Sequence, residues 1–88
     1  MNVKRAARRT AELALISALP VSHPWFGKDH ILEMATKIEV WDLSAPETER
    51  KAHRWLGWMQ CAVVMGGGAT LDDMARLNLE CRDDHGPA

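Results

Sequence analysis

Two cysteines, one phenylalanine and no tyrosine leave several chemistries out of reach of this 88-residue chain. Cys61 and Cys81 are too few for a disulfide framework, and their separation fits no common zinc-ligand spacing. The four histidines fall into no HExxH, HxxxH or CxxC-linked pattern, so neither a metal nor another cofactor is expected. No segment approaches the roughly 18 consecutive apolar residues that a membrane span requires. None alternates with the period of two that marks a half-buried strand. No nucleophile–base pair stands out, and the carboxylate pairs Asp72-Asp73 and Asp83-Asp84 read as cap and solvated charge, so enzymatic activity is not expected.

What is present is an ordinary globular balance, with 47% hydrophobic and 26% charged residues. One domain over residues 1–82, with 83–88 as a flexible tail, is the expected organisation. A chain this short buries only about 60–65% of its unfolded surface, which makes its own core marginal and association attractive. Charge is polarised along it: residues 1–30 carry five Lys/Arg against two acids, and residues 61–88 carry two against five. The basic start can pack on the acidic end, within one subunit or between two. The basic opening before Leu13 has the outline of a signal peptide, but Glu12 interrupts it and no good cleavage pattern follows. A cytoplasmic protein is the expectation.

Helical signals dominate. A first helix of about Val3 to Leu19 gathers Lys4, Arg5, Arg8, Arg9 and Glu12 on one face, with Leu13, Ile16 and alanines on the other, and ends at Pro20. Pro20, Pro24 and Gly27 make a loop whose aromatics, Trp25 and Phe26, are expected to tuck over the core. Asp29 can cap a second helix, His30 to Asp42, with Ile31, Met34, Ala35, Ile38 and Trp41 at helical spacing. Ser44-Ala45-Pro46-Glu47 reads as a capping box for a third and longest helix, running to Met65 and stopping at Gly66-Gly67-Gly68. Thr70-Leu71-Asp72-Asp73 is a second such box, opening a fourth helix with Leu71, Met74, Leu77 and Cys81 as its apolar positions. The fold expected is all-α, a small bundle of three to four helices.

The third helix holds the unusual physics. Its first half is charged through Glu49, Arg50, Lys51, His53 and Arg54, while from Trp55 to Met65 only Gln60 is strongly polar. A helix apolar nearly all round is central to a core or shared between subunits. The expectation is a homo-oligomer whose interface uses Trp55, Trp58, Met59, Ala62 and Met65; a monomer whose other helices wrap this one is the alternative. Gly57 either admits a close neighbour or is an incidental surface glycine. Arg50, Lys51, His53 and Arg54 beside Trp58 form a candidate ligand or partner site, able to pair with phosphates and stack on bases. Lys4, Arg5, Arg8 and Arg9 form a second basic group that could touch DNA. A solvated face is the plain reading of each.

Arg54-Trp55-Leu56-Gly57-Trp58-Met59-Gln60, the glycine turn, then Thr70-Leu71-Asp72-Asp73-Met74 and Asn78 resemble a pattern in small helical bacteriophage and prophage proteins of unassigned function. The resemblance covers about residues 50–80 and brings no catalytic residues with it. It implies a phage-type protein acting in the host cytoplasm by stoichiometric binding. The expected function is inhibition of a host defence machine, in the manner of an anti-CRISPR protein or by sequestering a signalling nucleotide. An oligomeric phage structural or assembly accessory and a small DNA-binding regulator are the alternatives.

Overall fold

The computed structural model describes residues 1–17, 19–20 and 23–82; the expected tail, 83–88, lies outside them. Four helices are formed: α1 (Val3–Ile16), α2 (Lys28–Val40), α3 (Pro46–Met65) and α4 (Leu71–Glu80). No strand occurs among the described residues. At 20 residues α3 exceeds the 14, 13 and 10 of α1, α2 and α4.

Local side-chain chemistry sets most of the ends, and the structure differs from the sequence reading at four of them, α2 also ending at Val40 rather than Asp42. Helix α1 starts where the Asn2 side chain accepts from the Arg5 N–H at 3.1 Å. It stops at Ser17, short of Leu19, because the Ser17 hydroxyl donates to Ala14 O (3.0 Å) and accepts from Leu19 N (3.2 Å). Serine here offers the backbone an alternative to the next helical turn. Helix α2 begins one residue before Asp29, with Gly27 as its N-cap and Asp29 in the first turn, where a carboxylate suits the helix dipole.

The capping box expected at Ser44 and Glu47 does not form. Asp42 Oδ1 captures Ser44 instead, accepting from its hydroxyl (2.7 Å) and its N–H (3.0 Å). Helix α3 therefore starts from Ala45 without a side-chain cap, and Pro46 occupies its first turn. The box at α4 is complete: Thr70 Oγ1 accepts from Asp73 N at 3.0 Å and Asp73 Oδ2 accepts from Thr70 N at 2.9 Å.

Helix α1, not α3, is the element on which the others converge, packing against α2, α3 and α4. Its inward face is built from Val3, Ala6, Ala7, Thr10, Ala11 and Ala14. Such small side chains let three neighbours approach closely, at interaxial distances of about 8–10 Å. Against them pack Ile31, Met34 and Ile38 from α2, Leu56, Met59 and Val63 from α3, and Met74 and Leu77 from α4. Two residues expected inside are outside: Ile16 is 81% exposed and Leu71 76%. The alanine face leaves no depth for Ile16, and α4 turns Met74 and Leu77 inward in place of Leu71.

One polar network crosses this core. Gln60 Nε2 donates to Thr10 Oγ1 (3.3 Å) and Asn78 Oδ1 (2.7 Å), and Asn78 Nδ2 donates back to Gln60 Oε1 (3.1 Å). Thr10 Oγ1 itself donates to Ala6 O at 2.8 Å. Helices α1, α3 and α4 are thus tied at one point, and no buried side-chain N or O atom among the described residues lacks a partner. The glycine turn seals the far end. Gly67 has φ +81°, and a Cβ at Gly68 would stand 2.5 Å from Ser17 Cβ, so only glycine lets the turn lie against the end of α1.

Charge polarity is resolved within the subunit. Arg9 pairs with Glu80 at 2.7 Å, and Arg5 Nη1 donates to Glu80 O at 3.4 Å. Arg8 pairs with Glu39 at 3.2 Å, and Lys4 Nζ donates to Glu39 O at 3.0 Å. The hydrogen bond that the Arg9 guanidinium donates to the Glu80 carboxylate holds its pKa above the ordinary value.

Two outcomes test this frame. The Thr70 backbone N–H, seconded by the Thr70 side chain, holds the Asp73 carboxyl below its ordinary 3.8. A folded pKa below the unfolded one gives stability that is complete above the unfolded value and is lost as pH falls through the folded value. Wild type should therefore be more stable than Asp73→Asn at neutral pH in urea denaturation. That advantage should shrink as the pH is lowered past 3.8. In the network, Gln60→Leu and Asn78→Leu should each cost about 1–3 kcal/mol by stranding the other amide. The double variant should cost less than their sum by at least about 0.5 kcal/mol.

Candidate binding surface

The cationic cluster expected on α3 does not converge. Arg50, Lys51, His53 and Arg54 are all exposed, but at 100° per residue Lys51 and His53 point about 160° apart. Lys51 belongs to the fold. Its ammonium lies 5.1 Å from the Trp41 ring and 5.4 Å from the Trp55 ring. Those two indoles meet edge to face, with centroids 4.7 Å apart and planes at 63°. Lys37, paired with Glu33 at 3.5 Å, also approaches the Trp55 ring, at 6.0 Å. The Trp41–Trp55 pair closes the α2–α3 end of the bundle, and Lys51 caps it. The side chains of Arg50, His53 and Arg54 make no hydrogen bond, ion pair or ring contact among the described residues.

Trp58 does a different job. It is 46% exposed, and its Nε1 donates to Trp25 O at 2.7 Å. That bond fastens the 23–27 loop to α3. Of the loop aromatics, Phe26 tucks against the core and stacks on His23 at 3.8 Å. Trp25 remains 62% exposed, because its carbonyl rather than its ring meets α3.

The expected interface set is divided by the fold. Met59 and Ala62 are buried inside the subunit, on the side of α3 that α1 and α2 cover, so they cannot form an interface without unfolding the core. Trp55 is half-buried against Trp41. Only Trp58 and Met65 face outward, Met65 at 74% exposure.

A seam that the sequence reading passed over lies between them. Gly57 and Cys61 are exposed and Val64 half-buried, and with Met65, Leu71 and Met74 they line a groove of about 250 Å³ along α3 and α4. Nothing stands within 4 Å of a Cβ built on Gly57, so no close approach within the subunit requires that glycine. The signal was legible: Arg50, Arg54, Gly57, Cys61 and Val64 repeat at alternating spacings of four and three, the interval of a helix-pairing seam. A second apolar groove, about 520 Å³, runs between α1 and α2 past Leu15, Leu32, Ala35 and Val40, with Arg8 and Glu39 among its lining.

Other chemistries find little to work with. Among the described residues no three His, Cys, Asp or Glu side chains are grouped to hold a metal. Cys61 is exposed and Cys81 buried, and both are free thiols. The glycine turn is no phosphate cradle, since Asp73 already accepts a backbone N–H at the start of α4. Among the described residues no helix is long and apolar enough to cross a membrane.

Dividing the basic cluster yields a simple comparison. Lys51→Met should destabilise the protein by about 0.5–1 kcal/mol through loss of its ring contacts. Arg54→Met, which loses no contact, should leave the urea midpoint within experimental error. Comparison with protein-family models, curated proteins and solved structures finds no match to this chain.

Proposed function

We propose that this chain is a non-catalytic binding protein of the small phage type, self-associating, which inhibits a host defence machine by occupying one of its protein surfaces. One observation carries the reading. Every buried polar side chain among the described residues is bonded, yet the subunit keeps large apolar side chains outside on two separate faces, Leu15 and Val40 on one, Met65 and Leu71 on the other. Apolar patches in excess of what a core needs mark interaction surfaces. Self-association takes the α3–α4 face and leaves the α1–α2 groove to the host protein.

The placement of the cations favours a protein target over a nucleotide. Phosphate recognition needs convergent donors, whereas Lys51 is committed to Trp41 and Trp55 and diverges from His53. DNA binding through α1 is disfavoured because Lys4, Arg5, Arg8 and Arg9 all bond within the subunit. The second reading, an assembly accessory whose task is oligomerisation itself, is favoured by the helix-pairing spacing of Gly57, Cys61 and Val64.

Expression in a host with an active nucleic-acid-guided defence should raise the plating of a targeted phage. Leu15→Glu combined with Val40→Glu places two charges in the α1–α2 groove at exposed positions, so the fold should survive by circular dichroism. The loss of two apolar contacts, each about 1.5–3 kcal/mol, weakens target binding by more than about a hundredfold, and protection should vanish. Unchanged plating with wild type, or full protection by the charged variant, overturns the proposal.

A further inference from the structure

Three sulfur-bearing side chains line the groove between α3 and α4: Cys61, Met65 and Met74. Cys61 and Met65 stand four residues apart on α3, the spacing that stacks two side chains on one face. The Cys61 thiol donates to the Met65 thioether, with Sγ and Sδ 3.8 Å apart. Both residues are exposed, so core packing does not force the two sulfurs together. Met74 faces them from α4 and is only 4% exposed. Its unbranched side chain can adjust the position of its sulfur without moving the backbone. The rest of the lining offers no competing donor. Gly57, Val64 and Leu71 are apolar, and the Gln60 amide is committed to Thr10 and Asn78.

We propose that this groove binds a monovalent soft metal ion of the copper(I) class, held by the Cys61 thiolate and the Met65 and Met74 thioethers. The inference goes beyond the binding reading above and does not rest on it, since all three donors belong to one subunit. Thiolate and thioether sulfur select copper(I) over harder cations. Two metal–sulfur bonds of about 2.3 Å, meeting near the tetrahedral angle, span about the separation that Sγ and Sδ already have. The ion takes the place of the proton in the thiol–thioether contact. The S–H bond breaks with its electron pair left on sulfur, and the proton passes to solvent. One bond then forms from the metal to the thiolate and two to neutral thioethers, with no change of oxidation state. Charge decides the valence. One thiolate cancels one positive charge, so the complex is neutral within apolar walls. A divalent ion would keep a net charge there, which such walls disfavour, and no carboxylate lines the groove to cancel it. Gly57, with nothing within 4 Å of a Cβ built on it, leaves a path of entry.

The test is an anaerobic titration of the full chain with copper(I) delivered as its acetonitrile complex. Ultraviolet thiolate-to-copper absorption should rise to a sharp break at one ion per chain, and equimolar zinc(II) should leave the curve unchanged. Affinity is read by competition with the chromogenic chelator ferrozine. Cys61→Ser should abolish the absorption although Cys81 is still present. Met65→Leu and Met74→Leu keep the apolar shape and should each weaken binding by at least about tenfold, no less than the loss of an outer-shell partner costs a metal site. Circular dichroism should show the same helicity in all three variants. X-ray absorption of the loaded wild type should count three sulfurs around one copper, and two in Met74→Leu. Absence of a break at one equivalent, absorption that survives Cys61→Ser, indifference to either methionine change, or zinc(II) competing as an equal overturns the site. The phage plating assay addresses the α1–α2 groove, so its outcome and this one fail separately.

Discussion

The alanine face of α1 is the constraint on which the rest of the molecule depends. Ala6, Ala7 and Ala14 are almost wholly buried, and at each the absent bulk lets a neighbouring helix come near. Close approach is what allows one helix of 14 residues to contact three others in a chain of 88. It also sets a limit, because alanine contributes little apolar area of its own. The core draws its large side chains from α2, α3 and α4, each supplying only two or three. A molecule whose Cα envelope measures 34 × 24 × 15 Å has a shallow interior. Side chains that would fill a deeper one stand on the surface.

The Gln60 network decides which surface. Gln60 must face Thr10 on α1 and Asn78 on α4 for its amide to be satisfied. A buried amide without those partners would cost as much as several core contacts contribute. Fixing Gln60 inward fixes the rotation of α3 about its axis. Met59, Ala62 and Val63 then go in, and Trp58, Cys61 and Met65 go out. An apolar residue at position 60 would leave α3 free to turn its tryptophans toward the core, since almost every residue around that half of the helix is apolar. The single polar side chain in a greasy segment therefore supplies orientation as well as stability.

Helix existence was legible in the sequence because it depends on local signals. The Thr70–Asp73 box, the glycine stop after Met65 and the spacing of Ile31, Met34 and Ile38 all appear in the structure as read. The misreadings have a common origin in competition between partners close in sequence. Asp42 takes the Ser44 hydroxyl before it can cap α3, and Ser17 turns back on Ala14 before α1 reaches Leu19. The outward side of α3 was half legible. Periodicity located the apolar segment, but an all-round apolar helix carries no mark of which side faces in. That information sat in Gln60, whose partners lie on other helices. The basic cluster is divided for a geometric reason: Lys51 and His53 point apart on the helix, and Lys51 lies against Trp41 and Trp55.

Packing of the helices within the subunit also explains how such a chain manages its charges. On α1 the cations are satisfied internally by Glu39 and Glu80, so the acidic and basic halves cancel where the helices meet. Arg50 and Arg54 on α3 are left exposed, with no side-chain partner among the described residues. Unpaired surface charge costs little in water and contributes little to stability. Its effect is on association: exposed like charges oppose one approach of a partner and unlike charges favour another. The apolar side chains that the shallow core leaves outside supply attraction without direction, so in any complex of this chain affinity and orientation would reside in different atoms.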